Sequence, residues 1–386
     1  MEQNTLKRRG IGFRGVDSAR TFGGYTLICP LTSSTAHLID INGKEVHTWQ
    51  LPGRVGRHAR LLPNGNLAVN TIDLDRENLF PFFNKYGGGI MSELSPSGKV
   101  VRQHRDPCGH HDAYHYPDGS GRILYTSLEK LTPAESTQVV GGVPNSEING
   151  ITYTDNIKEV DADGKLLWFW SVKDSLPRER FPLQPHYTRE HYTLINSVLP
   201  LRDGNILSSL RSVSHVIIID RQTGEIVWDI GPDDIGLAQQ HCASELPNGN
   251  ILIFDNGAYR NGMSIQYTRA IEVDRATKQI IWEYKDKSQV VNFFTPFMGS
   301  AQRLANGNTL LCESAFGRVF EITMDGTVVW EYVNEHFAEY PDEVTRNLFP
   351  GESNALFRAY RYSEREVEKV LCDGEGTEML GRSTPG

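Results

Sequence analysis

The sequence predicts an all-β fold, a six-bladed β-propeller of four-stranded antiparallel blades around a central channel. Two recurring hairpins and a shortage of helical periodicity carry that expectation. The first hairpin has a turn of the general form Asp-x-x-Gly followed by β-prone residues and usually an aromatic. It recurs over Asp40–Trp49, Ser95–His104, Asp161–Trp170, Asp220–Trp228, Asp274–Trp282 and Asp325–Trp330. The second lies between these copies, as LLPNGNLAV from Leu61, YPDGSGRILYTS from Tyr116, LRDGNILSSL from Leu201, LPNGNILIF from Leu246 and LANGNTLLC from Leu304. Polar Gly-containing turns between alternating apolar residues are hairpin signals. Two hairpins per unit make the four strands of a blade, and a repeat of roughly 50 residues lies in the propeller range.

Each element follows from that repeat. Residues 1–24 read as an N-terminal arm, 25–363 as the propeller and 364–386 as a polar, Gly-rich, mobile tail. The sixth unit has no clear Asn-Gly turn and is placed near Glu352–Tyr362, where Asn354–Tyr362 reads as a strand, and the early strand Tyr25–Ile41 helps to complete the ring. Two connections, 131–151 and 173–192, are long for a propeller and are candidate lids. Helical patterning is confined to 341–348 and 364–371.

Composition narrows the function. The net charge of -9 disfavours nucleic acid and anionic lipid as partners. No apolar run is long enough to span a bilayer, and the glycines and charges near Met1 break up any signal-peptide core. The five cysteines show no CxxC spacing, as expected of reduced thiols. The expectation is a cytoplasmic protein whose partner is a small molecule and not a polyanion.

The register of the repeat nominates site residues. In a propeller the innermost strand of each blade lines the channel, and its entrance is the natural ligand site. Stepping eight residues back from the turn glycines Gly65, Gly119, Gly204, Gly249 and Gly307 gives Arg57, His111, Asn196, His241 and Gly299. The ends of the second strands return near the same rim with Asp73, Glu129, Arg211, Asp255 and Glu313. Buried polar groups are costly unless partnered, so this concentration at matching positions points to a shared site. His110, His58, His186 and His191 are further candidates, and Cys242 faces the core by strand alternation.

The segment Gln240-His241-Cys-Ala-Ser-Glu-Leu-Pro-Asn-Gly-Asn-Ile-Leu-Ile-Phe254-Asp255-Asn256-Gly257 resembles the Gln-His and Phe-Asp-Asn-Gly segment of the arylsulfotransferase family. His110-His111-Asp112, Ile195-Asn196-Ser197-Val198 and Ser208-Ser209-Leu210-Arg211 add to the resemblance. It implies a six-bladed propeller enzyme that moves a sulfuryl group between phenols without a nucleotide sulfate donor. By the same resemblance His241 is the nucleophile that becomes a sulfohistidine. Arg211 and Asn196 bind the sulfuryl oxygens, and His111 or His110 holds the sulfuryl group or assists the departing phenolate. Leu194 stands where the family carries a further histidine.

No cofactor is expected under that reading. An alternative is a lyase or hydrolase of a small aromatic or uronate-like substrate, with His111 and His241 as acid and base or as ligands of a divalent metal, and Glu129, Asp255 and Glu313 completing the shell. A noncatalytic binding propeller is a second alternative.

Overall fold

A computed structural model describes residues 10–74, 87–287 and 293–378. Its strands form six four-stranded antiparallel blades arranged as a β-propeller. The chain divides into two compact units. Among the described residues one takes in 10–74, 87–107 and 302–378, and the other takes in 108–287 and 293–301.

In the first unit one blade runs Leu356–Tyr362, Tyr25–Pro30, Thr35–Ile39, Glu45–Gln50 from inner to outer strand. The C-terminal strand thus forms a sheet with three N-terminal ones, two of which lie within the expected early strand Tyr25–Ile41. The next blade is Val55–Leu61, Leu67–Ile72, Gly89–Leu94, Val100–Arg105. A further sheet, whose strand Ser300–Arg303 straddles the boundary at residue 302 and whose other strands are Thr309–Glu313, Arg318–Ile322 and Val328–Val333, gains a fifth strand, Gly12–Val16, from the N-terminal arm. Residues 364–378 form a helix whose Val367 and Val370 are buried and whose Lys369 donates to the Pro63 carbonyl. The last eight residues of the expected tail lie outside the described residues.

The second unit holds three blades. They are Gly109–His115, Ile123–Lys130, Tyr153–Val160, Leu166–Ser171; then Ile195–Pro200, Ile206–Leu210, His215–Ile219, Ile226–Ile230; then His241–Glu245, Ile251–Asp255, Arg269–Val273, Ile280–Lys285. The two long connections meet here: Gly141–Val143 pairs in parallel with Leu183–Thr188.

Side-chain chemistry explains the repeat. Asp40, Asp161 and Asp220 each accept backbone N–H groups of their own turn through Oδ1, as Asx turns do. In four copies the closing tryptophan reaches the next blade. The indoles of Trp49, Trp170, Trp228 and Trp330 donate to the carbonyls of Ser95, Gly224, Arg275 and Ile41, each in a neighbouring blade's turn. The Asn-Gly-Asn turn is clamped by a glutamate on the third strand: Asn64 and Asn66 donate to Glu93, Asn248 and Asn250 to Glu272, and Asn308 to Glu321.

Apolar residues fill the space between blade faces. Leu207, Val216, Ile218, Ile251, Ile253, Ile271 and Val273 form one such cluster, and Leu310, Val319, Trp330 and Leu356 belong to another. A second strand such as Ile251–Asp255 is buried on both faces, which explains its continuous apolar run. Among the described residues no helix is long and apolar enough to cross a membrane.

Candidate active site

The inner strands are bulged where the site residues sit. Pairing between the first and second strands slips between Tyr125 and Thr126, between Ile195 and Ser197, and between His241 and Ser244. His111, Leu194 and Cys242 have φ of 38°, 56° and 49°, in the left-handed region. Bulges next to active sites re-aim side chains, and here they turn polar groups into the interior. His111, Asn196 and His241 are all buried, as is Arg57.

His241 is held by groups whose hydrogen-bonding sense is fixed. Its Nδ1 lies 3.2 Å from the Gln239 carbonyl and 2.7 Å from Asn256 Oδ1. A carbonyl only accepts, so Nδ1 carries the proton. The Met298 backbone N–H donates to Nε2 at 3.1 Å, so Nε2 carries the lone pair. Asn256 is fixed in turn, because its Nδ2 donates to the carbonyls of Thr295 and Met298.

Asn196 and Arg211 converge on the two residues before His241. Asn196 Nδ2 donates to the Gln240 carbonyl at 2.8 Å, and Arg211 Nη2 to Gln239 Oε1 at 2.8 Å. The Arg211 guanidinium also lies over the Tyr187 ring, 5.4 Å from its centroid. Its buried Nε has no hydrogen-bond partner among the described residues. Gln239 Nε2 donates to His186 Nε2 at 2.6 Å, and the His186 ring stacks on Tyr259. Burial, and then the Arg211 charge, lower the His186 pKa, so this imidazole accepts as a neutral ring. A cavity of about 240 Å³ beside it is lined by His186, Ala238, Tyr259, Met263 and Tyr267, among others.

His110 and His111 stand on a second buried cluster. Their Nδ1 atoms are 2.8 Å apart, and His110 Nε2 lies 3.2 Å from Asp155 Oδ1. His191 Nε2 approaches the same oxygen at 2.7 Å. Asp155 Oδ2 accepts from the Thr193 hydroxyl and the Ile195 N–H. Burial works to raise the pKa of Asp155, but His191 and His110 outweigh it and hold the carboxyl well below the usual range. Through Ile195, one residue from Asn196, this cluster is continuous with the contacts that lead to His241.

Four other nominated residues each have partners within their own unit. Asp255 is ion-paired with Arg269 and Arg260, at 2.7 and 2.9 Å. Glu129 accepts from Ser171, and Glu313 pairs with Arg318 at 3.2 Å. Arg57, in the first unit, lies over the Phe357 ring, beside His58 and Arg358, which are hydrogen-bonded to each other. The three carboxylates are thus tied to strands of their own blades. Two groups of three ligating side chains converge among the described residues, His110–Asp155–His191 and His37–Glu45–His336, and neither contains His111 or His241.

Sequence reasoning passed over Asp155 and gave His191 and Asn256 little weight. Asn256 was visible in the Phe-Asp-Asn-Gly match. Asp155 lies inside a third strand that otherwise reads as structure, and His191 ends the long connection 173–192, so neither shares the repeat offset that found the others.

The chain belongs to the arylsulfotransferase (ASST) family, whose model matches residues 71–335. None of the curated proteins compared matches it in sequence. Among solved structures it is similar to a Bacteroides caccae protein of unknown function, with a TM-score of 0.50 and 14% identity over 87% of this chain and 98% of that one. Virginiamycin B lyase from Staphylococcus aureus gives a TM-score of 0.44 and 12% identity, over 84% and 85% of the two chains. These structural likenesses concern the fold alone.

Proposed function

We propose that the protein is a transferase that moves a sulfuryl group from an aryl sulfate to a phenol through a sulfohistidine at His241. Family membership supports the reaction class. The observation that carries the assignment of the nucleophile is the fixed tautomer of His241, with the proton on Nδ1 and the lone pair on Nε2. A neutral, oriented imidazole is a competent nucleophile, and Asn256 Oδ1 on Nδ1–H stabilises the positive charge the ring acquires.

In the first half-reaction Nε2 attacks sulfur, the S–O bond to the aryl group breaks and a phenolate leaves. His111 donates to the departing oxygen. In the second, the acceptor phenol oxygen attacks sulfur, the N–S bond breaks and the phenol proton is returned to the site, so atoms and charge balance. Attack requires the Met298 amide to release Nε2, so the turn around Met298 shifts when the donor binds. Arg211 uses its remaining N–H groups, Nε among them, to bind sulfuryl oxygens, where a positioned cation offsets developing charge. Asn196 acts on the Gln240 carbonyl and so fixes the backbone that presents His241.

The test is transfer from a chromogenic aryl sulfate to a phenol. Wild-type protein is expected to release the chromophore in an acceptor-dependent manner, and His241→Ala to lose that rate. Wild-type protein inert towards aryl sulfates, or a His241→Ala variant of undiminished rate, would remove the reading.

A further inference from the structure

Three side chains from three separate elements meet inside the second unit: His110 on an inner strand, Asp155 on the third strand of the same blade, and His191 at the end of a long connection. Their ligand atoms all lie within 4.8 Å of one another, and both Nε2 atoms approach the same carboxylate oxygen, at 3.2 and 2.7 Å. Separations of about 3 Å are those between neighbouring ligands around an ion bonded at about 2.1 Å. The two imidazole planes lie at 76°, so their lone-pair axes can cross at one point.

The surroundings are those of an outer ligand shell. Ligating histidines characteristically donate their distal N–H, and ligating carboxylates are hydrogen-bonded on the other oxygen. His110 Nδ1 faces His111 Nδ1 at 2.8 Å, and Asp155 Oδ2 is held by Thr193 and Ile195. Charge points the same way. Asp155 is fully buried, and among the described residues its charge is met only by the two imidazoles, with neither Lys nor Arg paired to it. A buried carboxylate is costly without a compensating cation. The other convergent group, His37–Glu45–His336, differs in both respects: its imidazoles are stacked at 4.0 Å and 13°, so their axes run nearly parallel, and the Glu45 side chain is 39% exposed.

We propose that His110, Asp155 and His191 form a binding site for a divalent first-row transition ion, a two-imidazole, one-carboxylate ligand set suited to Mn, Fe, Co or Zn. This proposal does not depend on the sulfuryl-transfer reading, since it concerns occupancy and not turnover.

The test uses the full chain, stripped with chelator and dialysed separately against Mn²⁺, Fe²⁺, Co²⁺ and Zn²⁺, then freed of loose metal and analysed by elemental mass spectrometry. About one tightly held ion per chain is expected with at least one metal. Asp155→Asn and His191→Gln are expected to weaken that binding at least about tenfold, and Glu45→Gln to leave it unchanged. The same metal is expected to raise the Tm of wild type and not of the two ligand variants. If a variant fails the circular dichroism test of folding, the visible spectrum of Co²⁺-loaded wild type decides: nitrogen-ligand bands support the site, and the hexaaqua spectrum counts against it. Failure of all four metals to bind stoichiometrically, or undiminished binding by folded Asp155→Asn, overturns the proposal.

Discussion

Asn256→Ala probes the link between the fold and the proposed nucleophile. The side chain is fully buried and makes three hydrogen bonds, one from His241 Nδ1–H and two to the carbonyls of Thr295 and Met298. Removing it does not orphan all three partners equally. His241 Nδ1–H keeps the Gln239 carbonyl at 3.2 Å, and the Thr295 carbonyl keeps the Thr268 hydroxyl at 3.4 Å. The Met298 carbonyl loses its side-chain donor outright. Leaving one partly buried acceptor without its donor costs about 1–3 kcal/mol, and two weakened bonds add about 0.5–1.5 kcal/mol each, so a loss of roughly 2–6 kcal/mol is expected. The assay is chemical denaturation at constant m-value, with ¹⁵N spectroscopy of the His241 ring. The ring should lose its single Nδ1–H tautomer, and sulfuryl transfer should fall although the nucleophile is intact. A variant within about 0.5 kcal/mol of wild type, with the tautomer unchanged, would refute the assignment of Asn256 as the group that fixes His241.

Other outcomes follow from the same contacts. Gly299→Ala should lower Tm sharply, because φ is +113° and a Cβ would stand 2.1 Å from the Phe254 ring. Glu272→Ala should cost about 1–3 kcal/mol in denaturation, since one carboxylate oxygen clamps both Asn248 and Asn250. Thiol titration of native protein near pH 8 should find Cys372 reactive and Cys29 silent until unfolding, because burial pushes the Cys29 thiol up to about 12 while Cys372 is exposed. His186 has its folded pKa lowered by burial and Arg211, so the unfolded chain takes up the proton first. Its contribution to stability is therefore present above the unfolded value of about 6.5 and declines as pH falls below it; His186→Gln should flatten the stability profile there.

The repeat made the fold legible. Turn aspartates, Asn-Gly turns and closing aromatics were visible as a pattern, and each proves to be a contact: an Asx turn, a glutamate clamp, or an indole bonded to the next blade. The final blade was legible in part: Asn354–Tyr362 reads as a strand and Tyr25–Ile41 as one that helps to complete the ring, whereas their pairing in one sheet emerges only in the fold. Equal offsets from the turn glycines also found Arg57, His111, Asn196 and His241, all of them buried. What the offsets could not convey is how each polar group is spent. A carboxylate at a strand end looks the same in sequence whether it faces a ligand or, like Asp255, two arginines of its own blade. Nor does any periodicity join Asp155 to His110 and His191. They meet because a third strand and a long connection, each with its own register, are brought together by tertiary packing.

The central claim is most directly tested by rapid quench of wild-type protein mixed with an aryl sulfate and no acceptor. After alkaline work-up and proteolysis, peptide mass spectrometry should find one sulfuryl group on the His241 imidazole, and added phenol should discharge it. Release of the phenol from the donor with the His241 peptide unmodified at every quench time, or with the group on another residue, would contradict the account.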